Sequence, residues 1–257
     1  MGHKSSAQGS SPAPAGDAAA QQRETASPAR ILIVDDEPDL ARLLLYNLRA
    51  AGYGAEHAST GATALARAKE LRPDLVLLDL MLPDIGGADV LRALRSDGDL
   101  ARTAVIIVTA RGHEADRIAG FELGADDYVA KPFSVRELML RVGAVLKRTA
   151  PDPEAEQAIK CGPIRLDPSR HEATVAGSPM VLTALEFRLL RTLLERAGRV
   201  QRREVLLADV WGISISDSIE TRTLDTHVKR LREKLGPAGG LIETVRGVGY
   251  KLGVPGT

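Results

Sequence analysis

Three consecutive carboxylates, Asp35-Asp36-Glu37, close the apolar run Ile31-Leu-Ile-Val34. Adjacent carboxylates repel one another, so such a cluster calls for solvent or a hard cation such as Mg²⁺. Further polar groups stand behind apolar runs of their own: Asp79 behind Leu75–Leu78, Thr109 behind Val105–Val108, and Lys131-Pro132 behind Tyr128-Val129. Three carboxylates can share one divalent cation, while a lysine supplies a point charge and a threonine a hydroxyl for a tetrahedral anion. Together they suit carboxylate attack on phosphorus, in which metal and lysine neutralise oxygens in the transition state.

These groups meet only if the chain brings the ends of the runs together. Short continuous apolar runs read as strands buried on both faces. They alternate with amphipathic segments: Ile31–Val34, then Leu40–Ala51; Tyr53–His57, then Thr63–Leu71; Leu75–Leu78, then Val90–Leu94. Val105–Val108 precedes Ile118–Leu123, and Tyr128-Val129 precedes Val135–Lys147. Five strands alternating with five helices imply an α/β fold with a parallel, doubly wound sheet. Right-handed crossovers then leave the loops after the strands on one edge, where such sheets bind ligands.

With 257 residues the chain has room for two ordinary domains. Residues 1–28, rich in Ala, Ser, Gly, Gln and Pro, lack apolar periodicity and read as a disordered tail. Residues 29–148 form the first domain, and 149–158, acidic and Pro-bearing, read as a linker. The second domain, 159–257, opens with Ile164–Leu166, Ala173–Val175 and Met180–Leu182, which suggest a small antiparallel sheet. Thr183 with Glu186 makes a capping box ahead of Leu185, Leu189, Leu190 and Leu193. Further helices are expected over Glu204–Val210 and Thr221–Leu235, and Ile242–Leu252 reads as a hairpin.

The formal net charge is zero, from 34 basic and 34 acidic residues, but the balance is uneven along the chain. Residues 30–148 carry 16 basic and 18 acidic side chains, −2; residues 159–257 carry 16 and 11, +5. The basic half is the candidate for a polyanion partner. On the helix from Thr221, Leu224, Val228, Leu231 and Leu235 make one apolar stripe. Arg222, Thr226 and Lys229 fall opposite it, with Thr223 and Arg230 beside them. A helix apolar on one side and basic on the other suits the DNA major groove. Lys229 and Arg230 could reach base edges or phosphates, with Arg222 and Arg232 on the backbone. In the hairpin, Arg246 could enter a minor groove, with Thr244 near phosphate.

No apolar run reaches membrane-span length and the polar N-terminus lacks a signal-peptide core, so a cytoplasmic protein is expected. The single Cys161 excludes an internal disulfide framework, and the five histidines show no metal-ligand spacing.

Val-Asp35-Asp36-Glu, Leu-Leu-Asp79-Leu-Met-Leu-Pro83, Val-Thr109-Ala-Arg and Tyr128-Val-Ala-Lys131-Pro132-Phe stand in order across residues 30–148. The set resembles the receiver domain of two-component response regulators, which has a flavodoxin-like fold. The resemblance implies that Asp79 is phosphorylated by a sensor histidine kinase and that Asp35, Asp36, Asp79 and the Met81 carbonyl bind Mg²⁺. It also implies that Lys131 pairs with the phosphoryl group, that Thr109 and Ala110 meet it, and that Tyr128 turns inward as readout. The Lys131-Pro132 bond is cis in that family. Residues 159–253 resemble the winged-helix output domain of the OmpR/PhoB subfamily. The motifs that carry this are Leu-Thr183-Ala-Leu-Glu186-Phe, Val-Trp211-Gly, the Arg222–Arg232 stretch and Thr244-Val-Arg246-Gly-Val-Gly-Tyr250.

In that subfamily charges pair across a symmetric receiver dimer, which here implies Arg117 with Glu137 and Asp127 with Arg141, Asp126 beside them. A homodimer would set two output domains on a tandem direct repeat of double-stranded DNA. Two departures stand out. Arg202 occupies the position of a serine helix cap, a loss of ~1 kcal/mol. The loop Gly212–Glu220 is longer than usual, which puts in doubt the RNA polymerase contact that relatives make there. The rival reading is a Mg²⁺-dependent phosphohydrolase with an Asp79 nucleophile. Met81 stands two residues on, so no second acid follows as in Asp-x-Asp phosphatases, and a non-enzymatic regulator is expected. A DNA binder indifferent to phosphorylation is disfavoured by the intact acid, Thr and Lys set.

Overall fold

The structure, a computed structural model, describes residues 28–110, 119–149, 157–211 and 221–254. The expected tail, most of the linker, the loop 212–220 and the start of the fourth expected helix lie outside the described residues.

The first half alternates as its apolar runs require: β1 Arg30–Val34, α1 Pro38–Ala50, β2 Gly54–Ala58, α2 Gly61–Leu71, β3 Leu75–Leu78 and α3 Gly87–Ser96. Then come β4 Ala104–Thr109, a helical end at 119–122, β5 Asp127–Ala130 and α4 Val135–Thr149. All five strands are parallel, in the order β2-β1-β3-β4-β5. Each central strand feeds two cores by its pleat. Leu32, Val34, Val76, Leu78, Val105 and Ile107 face one, while Ile31, Ile33, Leu75, Leu77, Ile106 and Val108 face the other. That double burial explains why the strands read as unbroken apolar runs. The chain starts at β1 and moves to opposite sides of it, so the loops after β1 and β3 diverge at the switch point and leave a crevice.

The second half has a four-stranded antiparallel sheet, β6 Ile159–Cys161, β7 Ile164–Asp167, β8 Glu172–Val175 and β9 Ser178–Met180. It continues with α5 Ala184–Glu195, β10 Gln201–Arg202, α6 Arg203–Trp211, α7 Thr221–Leu235, a 3₁₀ turn, β11 Ile242–Val245 and β12 Gly249–Leu252. Strands β10, β12 and β11 form a second small sheet. This is the winged-helix arrangement. Two strands escaped the sequence reading, because three residues (β6) and two (β10) are too short to display alternation. The expected strand Met180–Leu182 is instead Ser178–Met180, since Leu182 is buried ahead of the Thr183 cap.

Local contacts fix these elements. Thr183 Oγ1 accepts from Glu186 N (3.3 Å) and Glu186 Oε2 accepts from Thr183 N (2.8 Å), the expected capping box, on the order of 1 kcal/mol. At α6 the missing serine cap is replaced by backbone: Arg203 N donates to Val248 O at 3.3 Å. Gly249 allows that approach, because a Cβ there would lie 2.0 Å from Gln201 O. The wing turns at Gly247 with φ +72°, a conformation that favours glycine. The α7 stripe Leu224, Val228, Leu231 and Leu235 is fully buried.

Candidate functional site

The crevice at the switch point gathers the strand-end groups. Asp35, Asp36 and Asp79 each present a carboxylate oxygen, all within 4.8 Å of one another. Asp35 and Asp79 are buried, and Asp36 is exposed, so the cluster opens to solvent on one side. Each buried carboxylate is aimed by its own turn: Asp35 Oδ1 accepts from Glu37 N and Asp79 Oδ1 from Met81 N, both at 2.9 Å. Their other oxygens converge on Lys131 Nζ, at 2.9 Å from Asp35 and 2.7 Å from Asp79. Glu37 Oε1 takes a third ammonium proton at 2.7 Å. The Lys131-Pro132 bond is cis, as the resemblance implies.

Burial pushes the Asp35 carboxyl above its ordinary range, against the lowering effect of Lys131 and of the Glu37 amide. Burial alone would depress Lys131, but hydrogen bonds to Asp79, Glu37 and Asp35 outweigh it and hold the ammonium above its usual value. Dense negative charge with one exposed member, Asp36, unpaired among the described residues, is a hard-oxygen donor set of the type that holds Mg²⁺. Thr109 Oγ1 is buried at the end of β4 with no hydrogen-bond partner among the described residues. An orphan hydroxyl is costly unless a ligand satisfies it. Ala110 beside it is exposed, Met81 is half exposed, and Tyr128 is buried in β5. Glu37 as a lysine partner was missed by the sequence reading, although it stood in the acidic triplet. Also missed were His57 Nε2, 2.8 Å from Asp35 O, and Asp84, whose carboxylate accepts from Gly61 N and Ala62 N. The Asp84 contacts tie the loop after Asp79 to α2.

The basic face of the second half is less uniform than helical periodicity suggests. Lys229 is exposed, with Glu233 no nearer than 4.0 Å. Arg246 is exposed at the wing tip. Arg232, by contrast, folds back: Nη2 donates to Ile242 O (2.7 Å) and to Thr244 Oγ1 (2.8 Å). Arg232 and Thr244 thus also join α7 to the wing, and Thr244 stays exposed. Asp225 Oδ1 accepts from Tyr250 Oη (2.5 Å) and Arg203 Nε (3.2 Å), an internal pairing. Burial, followed by Asp225, raises the Tyr250 phenol to about 12. Thr226 is half-buried and Arg230 is half-buried; the side chains of Arg222 and Thr223 lie outside the description.

Residues 31–143 match the family described as Response regulator receiver domain, and residues 177–252 match Transcriptional regulatory protein, C terminal. The sensory transduction protein RegX3 of Mycolicibacterium smegmatis is 46% identical over 228 residues, covering 86% of this chain and 98% of the relative. The chain belongs to the OmpR/PhoB family of response regulators. The phosphate regulon regulator PhoB of Pseudomonas aeruginosa is 41% identical over 223 residues, 86% of this chain and 96% of its own. A solved structure of a RitR mutant is 29% identical, with a TM-score of 0.67 over 87% of this chain and 98% of that one. This response regulator is a phosphorylation-dependent, DNA-binding transcription regulator of a two-component system. Among the described residues no helix is long and apolar enough to cross a membrane.

The charges expected at a dimer interface of this response regulator are engaged within one chain. Arg141 pairs with Asp127 (3.2 Å) and with Glu137 (2.9 Å). Asp126 is buried against Arg95 (3.2 Å) and accepts from Val105 N (2.8 Å). Arg117 lies outside the described residues. The sequence shows which charges are present but not that short-range partners within the receiver would take them.

Proposed function

We propose that Asp79 is the phosphoacceptor of this response regulator. The observation that carries the reading is the convergence of Lys131 on Asp79 and Asp35 within a cluster of three carboxylates. The donor is the phosphohistidine of a sensor kinase: an Asp79 carboxylate oxygen attacks phosphorus, the P–N bond breaks and its electron pair leaves with the imidazole. Asp35, Asp36, Asp79 and the Met81 carbonyl hold Mg²⁺, which supplies charge neutralisation when bound. Lys131 then transfers a hydrogen bond from Asp79 to a phosphoryl oxygen, Thr109 donates its unused hydroxyl to another, and Ala110 lines the approach. Tyr128 reports the change on the β5 side.

The phosphorylated receiver dimerises through α4 and β5, with Arg117, Asp126, Asp127, Glu137 and Arg141 exchanging partners, and places two winged helices on a tandem direct repeat. Receiver, linker and output domain span 29–148, 149–158 and 159–257, behind a tail at 1–28, and the protein works in the cytoplasm. Lys229, Arg230 and Arg246 meet DNA, together with Arg222, Thr223 and Thr226. The test is full-length wild type against Asp79→Asn with Mg²⁺ and acetyl phosphate. Wild type should gain one phosphoryl mass, sediment as a dimer and bind DNA more tightly, while the variant does none of these. Continuous release of phosphate without accumulation of a phosphorylated form would favour a hydrolase instead.

A further inference from the structure

Residues 57–62, the corner where β2 turns into α2, carry no carboxylate of the acidic pocket, yet both loops that do are fastened to it. On the Asp79 side the fastening is a carboxylate on a helix start: Asp84 accepts from Gly61 N at 2.7 Å and from Ala62 N at 2.9 Å. Gly61 permits that approach, because a Cβ there would lie 2.6 Å from Ile85 O. On the Asp35 side the fastening is a side chain of β2, His57, whose Nε2 lies 2.8 Å from Asp35 O.

The parallel ladder explains why a side chain is needed there. Asp35 N still donates to Ala58 O, at 3.2 Å. The next bond of the ladder would run from Thr60 N to Asp35 O. Thr60 has already left the strand: its N–H donates to Thr63 Oγ1, at 3.3 Å, in the capping box of α2. The Asp35 carbonyl thus loses its backbone donor, and the half-buried imidazole of His57 supplies one. A carbonyl can only accept, so Nε2 carries the proton. That carbonyl belongs to the peptide joining Asp35 to Asp36, and Asp35 Oδ1 closes the same turn by accepting from Glu37 N at 2.9 Å. Held at both points, the turn keeps the exposed Asp36 carboxylate within 4.8 Å of those of Asp35 and Asp79, although the three repel.

We infer that His57 is a positioning residue for the divalent cation: by holding the Asp35 carbonyl it keeps the Asp35-Asp36 turn in the shape that brings the three carboxylates together. The inference rests on the Mg²⁺ and phosphoacceptor reading of the preceding section, and it adds a residue that belongs to none of the receiver motifs. A site preset in this way does not have to be ordered by the ion itself. Hydrogen-bond partners that stand behind metal ligands set affinity by about 10- to 100-fold. His57 holds the backbone of the turn rather than a ligating oxygen, so the lower end of that range applies.

Full-length wild type, His57→Leu and His57→Gln would be compared. Leucine keeps the bulk and removes the donor, whereas the glutamine amide reaches about as far as Nε2 and keeps it. The readouts are Mn²⁺ affinity from the electron paramagnetic resonance signal of the free ion, with Mg²⁺ as competitor, thermal melting in metal-free buffer, and the rate of phosphorylation by acetyl phosphate against Mg²⁺ concentration. His57→Leu should weaken Mn²⁺ binding about tenfold and raise the half-saturating Mg²⁺ by the same factor. Its rate at saturating Mg²⁺ should stay near that of wild type, the signature of lost binding rather than lost chemistry. His57→Gln should recover most of the affinity. Wild-type Mn²⁺ affinity in His57→Leu, with or without a lower Tm, would reduce His57 to a fold contact and overturn the inference. Equal weakening in the leucine and glutamine variants would overturn it as well, since the hydrogen bond would then be irrelevant. Absence of Mn²⁺ binding from wild type would remove the metal site and the role of His57 together. If no form takes up a phosphoryl group, wild type included, the phosphoacceptor reading fails by itself, and the Mn²⁺ affinities still decide the place of His57.

Discussion

The acidic pocket and the basic helix are both dense in one sign of charge, and they are built in opposite ways. In the pocket, carboxylates from two loops are forced together by sheet topology, and one lysine from a third answers Asp35, Asp79 and Glu37 at once. On α7 the cations leave a single helix in different directions. Arg232 is spent on the wing, Arg230 lies at the receiver, and Lys229 stands in solvent. A converging cluster stores unfavourable energy that a ligand can release, whereas a diverging one divides its members between bracing and binding.

The largest effect separates bracing from binding. Arg232→Ala removes hydrogen bonds to Ile242 O and Thr244 Oγ1 and leaves a carbonyl of β11 without its donor, so a loss of ~2 to 3 kcal/mol is expected. Thermal melting should show a clear drop in Tm, against a change within ~0.5 kcal/mol for Lys229→Ala. Equal melting of the two variants would mean that Arg232 braces the fold no more than Lys229 does.

The same contrast explains what could be read from the sequence. Convergence is a property of topology, and alternating apolar runs announce topology, so Asp35, Asp79, Thr109 and Lys131 could be placed at one edge before any coordinates. Divergence depends on rotamers and near neighbours. The sequence reading set Arg232 against the DNA backbone, but it cannot say that the Ile242 carbonyl lies within reach of its guanidinium. Asp126 failed the same test in the receiver: its partner Arg95 is 31 residues away and belongs to no motif. β10 was invisible for a different reason, since two residues paired by backbone to Gln201↔Tyr250 and Arg202↔Gly249 leave no side-chain pattern.

Beneath the basic helix, His227 supplies a pH dependence opposite in sign to that of the pocket. It is buried against Trp211, both ring nitrogens have no partner among the described residues, and burial lowers its pKa from 6.5 to about 4. Glu186 opposes that shift, while Arg230, Arg95 and Lys234 add to it. Between those values the unfolded chain binds the proton and the folded chain does not, so stability falls as pH is lowered from about 6.5 towards 4. The loss is on the order of 2 kcal/mol at pH 5. In melting curves across this range His227→Leu should flatten much of the slope, with half-buried His171, lowered to about 4 chiefly by desolvation, contributing the remainder. An unchanged slope in His227→Leu would place the dependence elsewhere.

In the pocket the sign concerns a carboxylate. Burial raises the Asp35 pKa, so its contribution to stability is present below the ordinary carboxylate range and is lost as pH rises through the folded value. At neutral pH the ionised group therefore costs the fold something in metal-free buffer. Asp35→Asn should raise Tm there, and added Mg²⁺ should raise the wild-type Tm while leaving the variant nearly unmoved. A variant that melts lower than wild type without metal would mean that the Lys131 pairing outweighs burial, and the pocket would no longer count as a store of unfavourable energy.

The smallest effect on the fold is the sharpest test of the diverging cluster. Lys229 is three-quarters exposed and its nearest carboxylate, Glu233, is at 4.0 Å, so the fold gains almost nothing from its charge. Its remaining use is electrostatic: each phosphate neutralised releases condensed counterion and steepens the fall of binding with salt. Lys229→Ala should thus melt with wild type and lower the slope of log K against log salt by ~0.9, equally for every duplex if the contact is to phosphate. Loss confined to particular sequences would move Lys229 to a base edge, since a guanine contact carries ~1 to 3 kcal/mol of discrimination and a phosphate contact none.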